Sequence, residues 1–134
     1  MIKLNLQFFG GGSSRGRFPG TQGGRTLIID DSQFGKKVRK HAVDYGLDPN
    51  ILENRSLMRN KIEEIFYRPA EVRQGVWRGQ GERLSNGTNA EGKVRFYIRD
   101  NDVVVTTTGN RFITILKDGL INNPRVQNAE VISP

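Results

Sequence analysis

Apolar positions along this chain follow a helical period in its first half and a period of two in its second. Between Ser32 and Tyr45 the residues Phe34, Val38, Ala42 and Tyr45 recur at helical spacing, while Lys36, Lys37, Arg39 and Lys40 take the other surfaces. That pattern predicts an amphipathic helix. Asp30, Asp31 and Ser32 offer N-cap oxygens ahead of it, and Gly46 offers a C′ residue behind it. Asp48-Pro49 is a second start signal, after which Asn54 or Ser56 can restart a helix with Leu57, Met58, Ile62, Ile65 and Phe66 along its apolar stripe. Arg68-Pro69 should end it, because the residue before proline is pushed out of helical geometry.

Beyond Pro69 the spacing shortens. Val72, Val76 and Trp77 interleave with Arg73, Arg78 and Arg83, which predicts a strand running into a long loop that closes near Gly92. The clearest strand follows, with Val94, Phe96 and Ile98 alternating with Arg95, Tyr97 and Arg99. Asp100-Asn101-Asp102 turns the chain into Val103–Thr107, Thr108-Gly109-Asn110 turns it again into Arg111–Leu116, and Lys117-Asp118-Gly119 closes the meander. Upstream, Arg25–Asp30 reads as a short edge strand. The order predicts an α+β domain, with two or three N-terminal helices packed on one face of a three- to four-stranded antiparallel sheet.

Composition narrows this further. A chain of 134 residues suits one domain. The stretch 9–24 reads FGGGSSRGRFPGTQGG, too rich in glycine to offset its ordering entropy by burial, so residues 1–24 are expected to be a flexible leader and 25–134 the folded unit. There is no cysteine, which excludes disulfides and thiolate zinc sites, and with a single histidine no cofactor and no metal is expected. The pairs Asp30-Asp31 and Asp100/Asp102 read as caps and turns. No P-loop, dinucleotide fingerprint, EF-hand or internal repeat occurs. The apolar run that opens the chain is too short to span a membrane and lacks a signal-peptide cleavage pattern, so a protein without a membrane partner is expected.

The charge is +7, from 21 Lys and Arg against 14 Asp and Glu. A surplus of that size on so small a domain attracts polyanions, and arginine's planar fork suits phosphate. RNA or another nucleic acid is therefore the expected partner, with an acidic host or phage protein as the alternative. Arg73, Arg78 and Arg83 ahead of the long loop, together with Arg95, Tyr97 and Arg99 on the polar side of the clearest strand, form the expected nucleic-acid-binding set, in which Tyr97 would stack on a base. An ordinary solvated strand face would alternate in the same way. Histidine alone exchanges protons near neutrality without a large shift, which makes His41 the candidate acid or base. Thr114 interrupts an apolar run and is the candidate hydroxyl.

Two resemblances bear on these residues. The opening Met1-Ile-Lys-Leu-Asn-Leu-Gln-Phe-Phe-Gly10 resembles the start of many head and scaffold-region proteins of phages and prophages of Gram-positive bacteria. The body resembles the small nuclease superfamily that includes barnase, EndoU and the nuclease colicins. That likeness is carried by Lys40-His41-Ala42, by Val76-Trp77-Arg78-Gly79, by the basic strand Val94 to Arg99, and by Phe112-Ile-Thr-Ile-Leu-Lys-Asp-Gly119. It implies a phage or prophage protein directed at RNA in the bacterial cytoplasm or on phage particles. In its catalytic form the protein would be a metal-independent endoribonuclease using His41, Arg95 or Arg78, and Thr114. Its other forms are a non-catalytic binding protein, including one that counters host defence, or a head-assembly protein. The family commonly has an aromatic or charged residue two places after the threonine, where this chain has Leu116.

Overall fold

The computed structural model describes residues 25–82, 84–87 and 90–133. The expected leader, residues 1–24, lies outside them, as does Arg83. Helix α1 spans Asp31–His41, starting where the Asp30 side chain accepts a hydrogen bond from the Gln33 amide at 3.0 Å. A 3-10 turn, Ala42–Tyr45, prolongs it and ends at Gly46, whose φ of 73° is the left-handed conformation that a glycine takes at little cost. Helix α2, Leu52–Tyr67, begins earlier than Asn54 or Ser56, because the turn from Asp48 makes the Ile51 carbonyl its first acceptor, bonded by the Asn54 and Arg55 amides. It ends ahead of Pro69 as expected.

Five strands follow, β1 (Glu71–Trp77), β2 (Gly92–Arg99), β3 (Asp102–Thr107), β4 (Phe112–Leu116) and β5 (Glu130–Ser133), with two short helices, α3 (Gly119–Asn122) and α4 (Pro124–Gln127), between the last two. They form one antiparallel sheet in the order β4-β3-β2-β1-β5. The fold is thus α+β with N-terminal helices on an antiparallel sheet, but the sheet has five strands where three or four were expected. The fifth, β5, has all four residues exposed and no alternation of burial, so periodicity gives it no signal.

The segment expected as an edge strand makes only a parallel bridge, Ile28 to Arg111, in which the Ile28 amide donates to Asn110 and the Phe112 amide donates to Ile28. Asp100 and Asn101, both at positive φ, make the tight two-residue connection between β2 and β3.

Both faces of the sheet are covered, not one. On the first, α1 and α2 bring Val38, Met58, Ile62 and Phe66 against Val72, Tyr97, Val104 and Ile115. On the second, Val94, Phe96, Ile98 and Val105 pack with Val126 of α4, and with the partly buried Leu120 and Ala129. The C-terminal segment thereby gives the apolar side of β2 its own core. Both sides of β2 end up packed, which is why Tyr97 and Phe96, neighbours pointing opposite ways, are 1% and 0% exposed.

Candidate functional site

The face of β2 expected to stack on bases is the one under the helices. Tyr97 lies 4.5 Å, centroid to centroid, from Phe66, carries the Arg25 guanidinium 5.2 Å from its ring, and donates its hydroxyl to Asn110 Oδ1 at 3.0 Å. Its π-face is occupied by protein, so the expected role of Tyr97 as a stacking residue is corrected to a core role. Arg99 donates to the Arg68 carbonyl at 2.7 Å and sits 4.0 Å from a Glu64 oxygen, joining β2 to the end of α2. Arg73 pairs with Glu71 and donates to the Val126 carbonyl at 3.0 Å, which fastens α4 to β1. These two arginines are committed to holding elements together.

Arg95 is half-buried and pairs across the sheet with Gln74 and Thr106; its Nε is shielded from solvent and has no hydrogen-bond partner among the described residues. Arg78 is exposed in the turn after β1.

The expected catalytic trio does not converge. Thr114 pairs with Val105, which belongs to the second core beside Val94 and Phe96, whereas Arg95 lies between those two residues and so points to the helix side. A register shift between Val105 and Thr106 produces this placement. Thr114 is 2% exposed, and its hydroxyl has no hydrogen-bond partner among the described residues. Arg95 and Thr114 cannot embrace one phosphate from opposite faces, so their joint assignment with His41 is corrected.

His41 keeps different company. Its Nδ1 lies 3.1 Å from Asp44 Oδ2, and its side chain is 13% exposed. With the proton on Nδ1, that nitrogen donates to Asp44 and Nε2 keeps a free lone pair. Close by, Lys61 Nζ lies 3.3 Å from Asp102 Oδ2, and Asp102 Oδ1 accepts from the Asp118 amide at 2.8 Å. Lys117 lies 3.1 Å from Asp118; its ammonium is held above the usual lysine range by Asp118 first, with Asp102 and Asp44 adding to it. The Tyr45 phenol is pushed up by burial and then by the Asp102 carboxylate, which faces it without closing a well-formed hydrogen bond. This end of the sheet is therefore rich in titratable groups, with carboxylates and cations nearly balanced.

The unbalanced charge lies on α1. Lys36 and Lys40 fall on the side of the helix opposite Phe34, Val38 and Ala42, with Lys37 and Arg39 on the two flanks, and none of the four forms an ion pair within the described residues. The Lys37 ammonium is pushed below the usual lysine range by partial burial, then by Lys40 and Lys36. Arg39 and Lys40 also complement the negative end of the helix dipole, but Lys36 lies too early in the helix for that explanation. The sequence had presented these cations as the wet side of a helix, and their contiguity was the signal to follow.

Among the described residues no cluster of His, Asp and Glu is arranged to hold a metal ion, and no helix is long and apolar enough to cross a membrane. Compared with known proteins, the chain matches no family model, no curated protein and no solved structure.

Proposed function

We propose that this protein binds RNA through the outward side of α1, in the phage or prophage setting that its opening residues imply. The observation that carries the reading is the run Lys36, Lys37, Arg39 and Lys40, four cations within five positions without a carboxylate partner among the described residues. Adjacent like charges repel, and Lys40 and Lys36 add to partial burial, the larger cause, in holding the Lys37 ammonium below the usual lysine range. A phosphate backbone relieves it, because each neutralised phosphate also releases condensed counterions.

The test is a titration of labelled single-stranded RNA followed by anisotropy at several salt concentrations. Affinity should fall steeply with salt, and the double variant Lys36→Gln/Lys40→Gln should flatten the log–log slope by about 0.7 for each phosphate contact removed. Absence of binding at about 50 mM salt, where phosphate contacts are strongest, would sink the reading and turn attention to an acidic protein partner.

Cleavage is a second reading, favoured by one observation. The His41–Asp44 contact orients an imidazole one helical turn after Lys37, the i,i+4 position, so that a base able to take a 2′-hydroxyl proton adjoins the edge of the basic surface. His41→Ala and Asp44→Asn, compared with the native chain in the presence of a chelator, separate the two readings. General-base catalysis predicts a loss of about 10²- to 10⁴-fold for His41→Ala with RNA affinity retained. If the native chain leaves RNA intact across pH, binding alone stands.

A further inference from the structure

Trp77 is the only tryptophan of the chain and the last residue of β1. Its indole packs edge-on against Phe96, 5.9 Å between centroids at 66°, at the end of the second core, and the residue is only half-buried. The residue opposite it on β2 is Gly92, which carries no side chain to cover the ring. That glycine is obligatory, because a Cβ there would lie 2.1 Å from the Gln80 carbonyl oxygen. The close approach of the two ends of the long loop, with the Gln80–Gly81 backbone where that side chain would stand, thus leaves the half-buried indole without a cross-strand side chain beside it.

Two arginines lie beside the end of β1 that carries this residue. Arg78, next in the chain, is exposed and takes part in no ion pair within the described residues. Arg125 reaches over from α4 to donate to the Val76 carbonyl at 3.4 Å, and it pairs with Glu91, the residue before Gly92. Glu91 is half-exposed, and an exposed ion pair of this kind is easily exchanged for a phosphate.

We propose that Trp77, with Arg78 and Arg125, is a base-stacking site for single-stranded RNA, a role the sequence had led one to expect of Tyr97. The indole supplies the π-face that Tyr97 lacks, and the two arginines meet the phosphates on either side of the stacked base. This inference rests on the RNA-binding reading and adds a preference to it. Trp77 projects from the side of the sheet opposite α1 and α2, since it packs with the second core and they pack with the first. A duplex, stiff over lengths far greater than this domain (about 150 base pairs for DNA), cannot follow a surface around the edge of so small a sheet, whereas a flexible single strand can. Engagement of both surfaces therefore selects single strands.

The single tryptophan makes the test specific, because all indole emission comes from this residue. The full chain is titrated with a single-stranded oligoadenylate and with an RNA duplex of equal length, following Trp77 emission and, in parallel, the anisotropy of labelled copies of the same RNAs. The single strand should quench the emission saturably, over the same concentrations that saturate anisotropy, and the duplex should not. Trp77→Ala should weaken single-strand affinity roughly tenfold, and Trp77→Phe by much less. Arg78→Ala, at an exposed position where folding is safe, should weaken binding severalfold while the melting temperature stays unchanged. Saturated anisotropy with unaltered emission would overturn the stacking site and leave the α1 reading intact. Wild-type affinity in folded Trp77→Ala and Arg78→Ala would do the same. Loss of binding for every RNA would overturn both.

Discussion

The Lys61 ammonium lies 3.3 Å from the carboxylate of Asp102, tying the middle of α2 to the first residue of β3, and the other oxygen of the same carboxylate accepts the Asp118 amide at 2.8 Å. Asp102 is 6% exposed, so both interactions are made where water competes poorly. Asp102→Ala removes both and strands a backbone N–H in the turn between β4 and α3. It should cost about 1.5–3 kcal/mol, the range for hydrogen bonds to charged groups. Asp102→Asn keeps an acceptor for the amide and should cost less. Urea midpoints of the three proteins at neutral pH check the order.

Tyr45 yields a prediction in pH. Its folded-state pKa is raised, by burial first and by Asp102 next, above the ordinary tyrosine value of 10.0. The folded state therefore holds this proton where the unfolded chain releases it, and stability falls as pH climbs above 10.0. Below that value the contribution is constant. Tyr45→Phe removes a hydroxyl that Asp102 faces without a well-formed hydrogen bond among the described residues; the lost interaction with Asp102 and the relieved desolvation oppose each other, so it should alter stability little at pH 7 and should flatten the alkaline decline. Denaturation curves of both proteins at pH 7, 9 and 11 test this. Parallel declines would exclude Tyr45 as the titrating group.

Gly92 tests the closure of the long loop. The Gly81 amide donates to the Ala90 carbonyl at 2.6 Å and the Ala90 amide to Glu82 at 2.8 Å, bringing the two arms of the loop together just beyond the Trp77–Gly92 pair. A Cβ at Gly92 would meet the Gln80 carbonyl group at 2.1 Å and the Gly81 nitrogen at 2.7 Å, all backbone atoms that no rotamer change can move. Gly92→Ala should therefore destabilise by about 1–3 kcal/mol, as overpacking does elsewhere. Thermal melts of the variant measure it. A control at Gly109, where the nearest contact to a new Cβ is the Thr107 hydroxyl oxygen at 3.7 Å, should shift far less.

The helices and the central strands were legible because each has one strong period. Phe34, Val38 and Ala42 mark one side of α1, and the alternation along β2 marks a strand regardless of its surroundings. That same alternation could not say what covers the side bearing Tyr97, because a solvated face and one packed against Phe66 have identical spacing. Residues 119–133 left no periodic trace, since α3 and α4 are four residues each and β5 is exposed throughout. At the candidate site, the three-residue spacing of His41 and Asp44 lay open to reading in the sequence. The bulge that sends Thr114 to the far face lay beyond it, because a register shift is decided by pairing between strands and not by either strand alone.

Thr114 supplies the sharpest test of that register. If its hydroxyl took part in binding or proton transfer beside Arg95, Thr114→Val would lower RNA affinity or cleavage while leaving the packing intact. The pairing with Val105 implies the reverse. A hydroxyl buried without a partner carries a desolvation penalty, and valine presents nearly the same shape without it. Thr114→Val should therefore leave RNA binding unchanged and should stabilise the domain by about 1 kcal/mol, the lower end of the cost of an unsatisfied buried group. A rise in the urea midpoint at constant slope, with an unaltered anisotropy titration, is the expected pair of results. A fall in the midpoint would mean that the hydroxyl has a partner in solution, and a loss of RNA affinity at unchanged stability would put Thr114 back on the binding surface and refute the register described for β3 and β4.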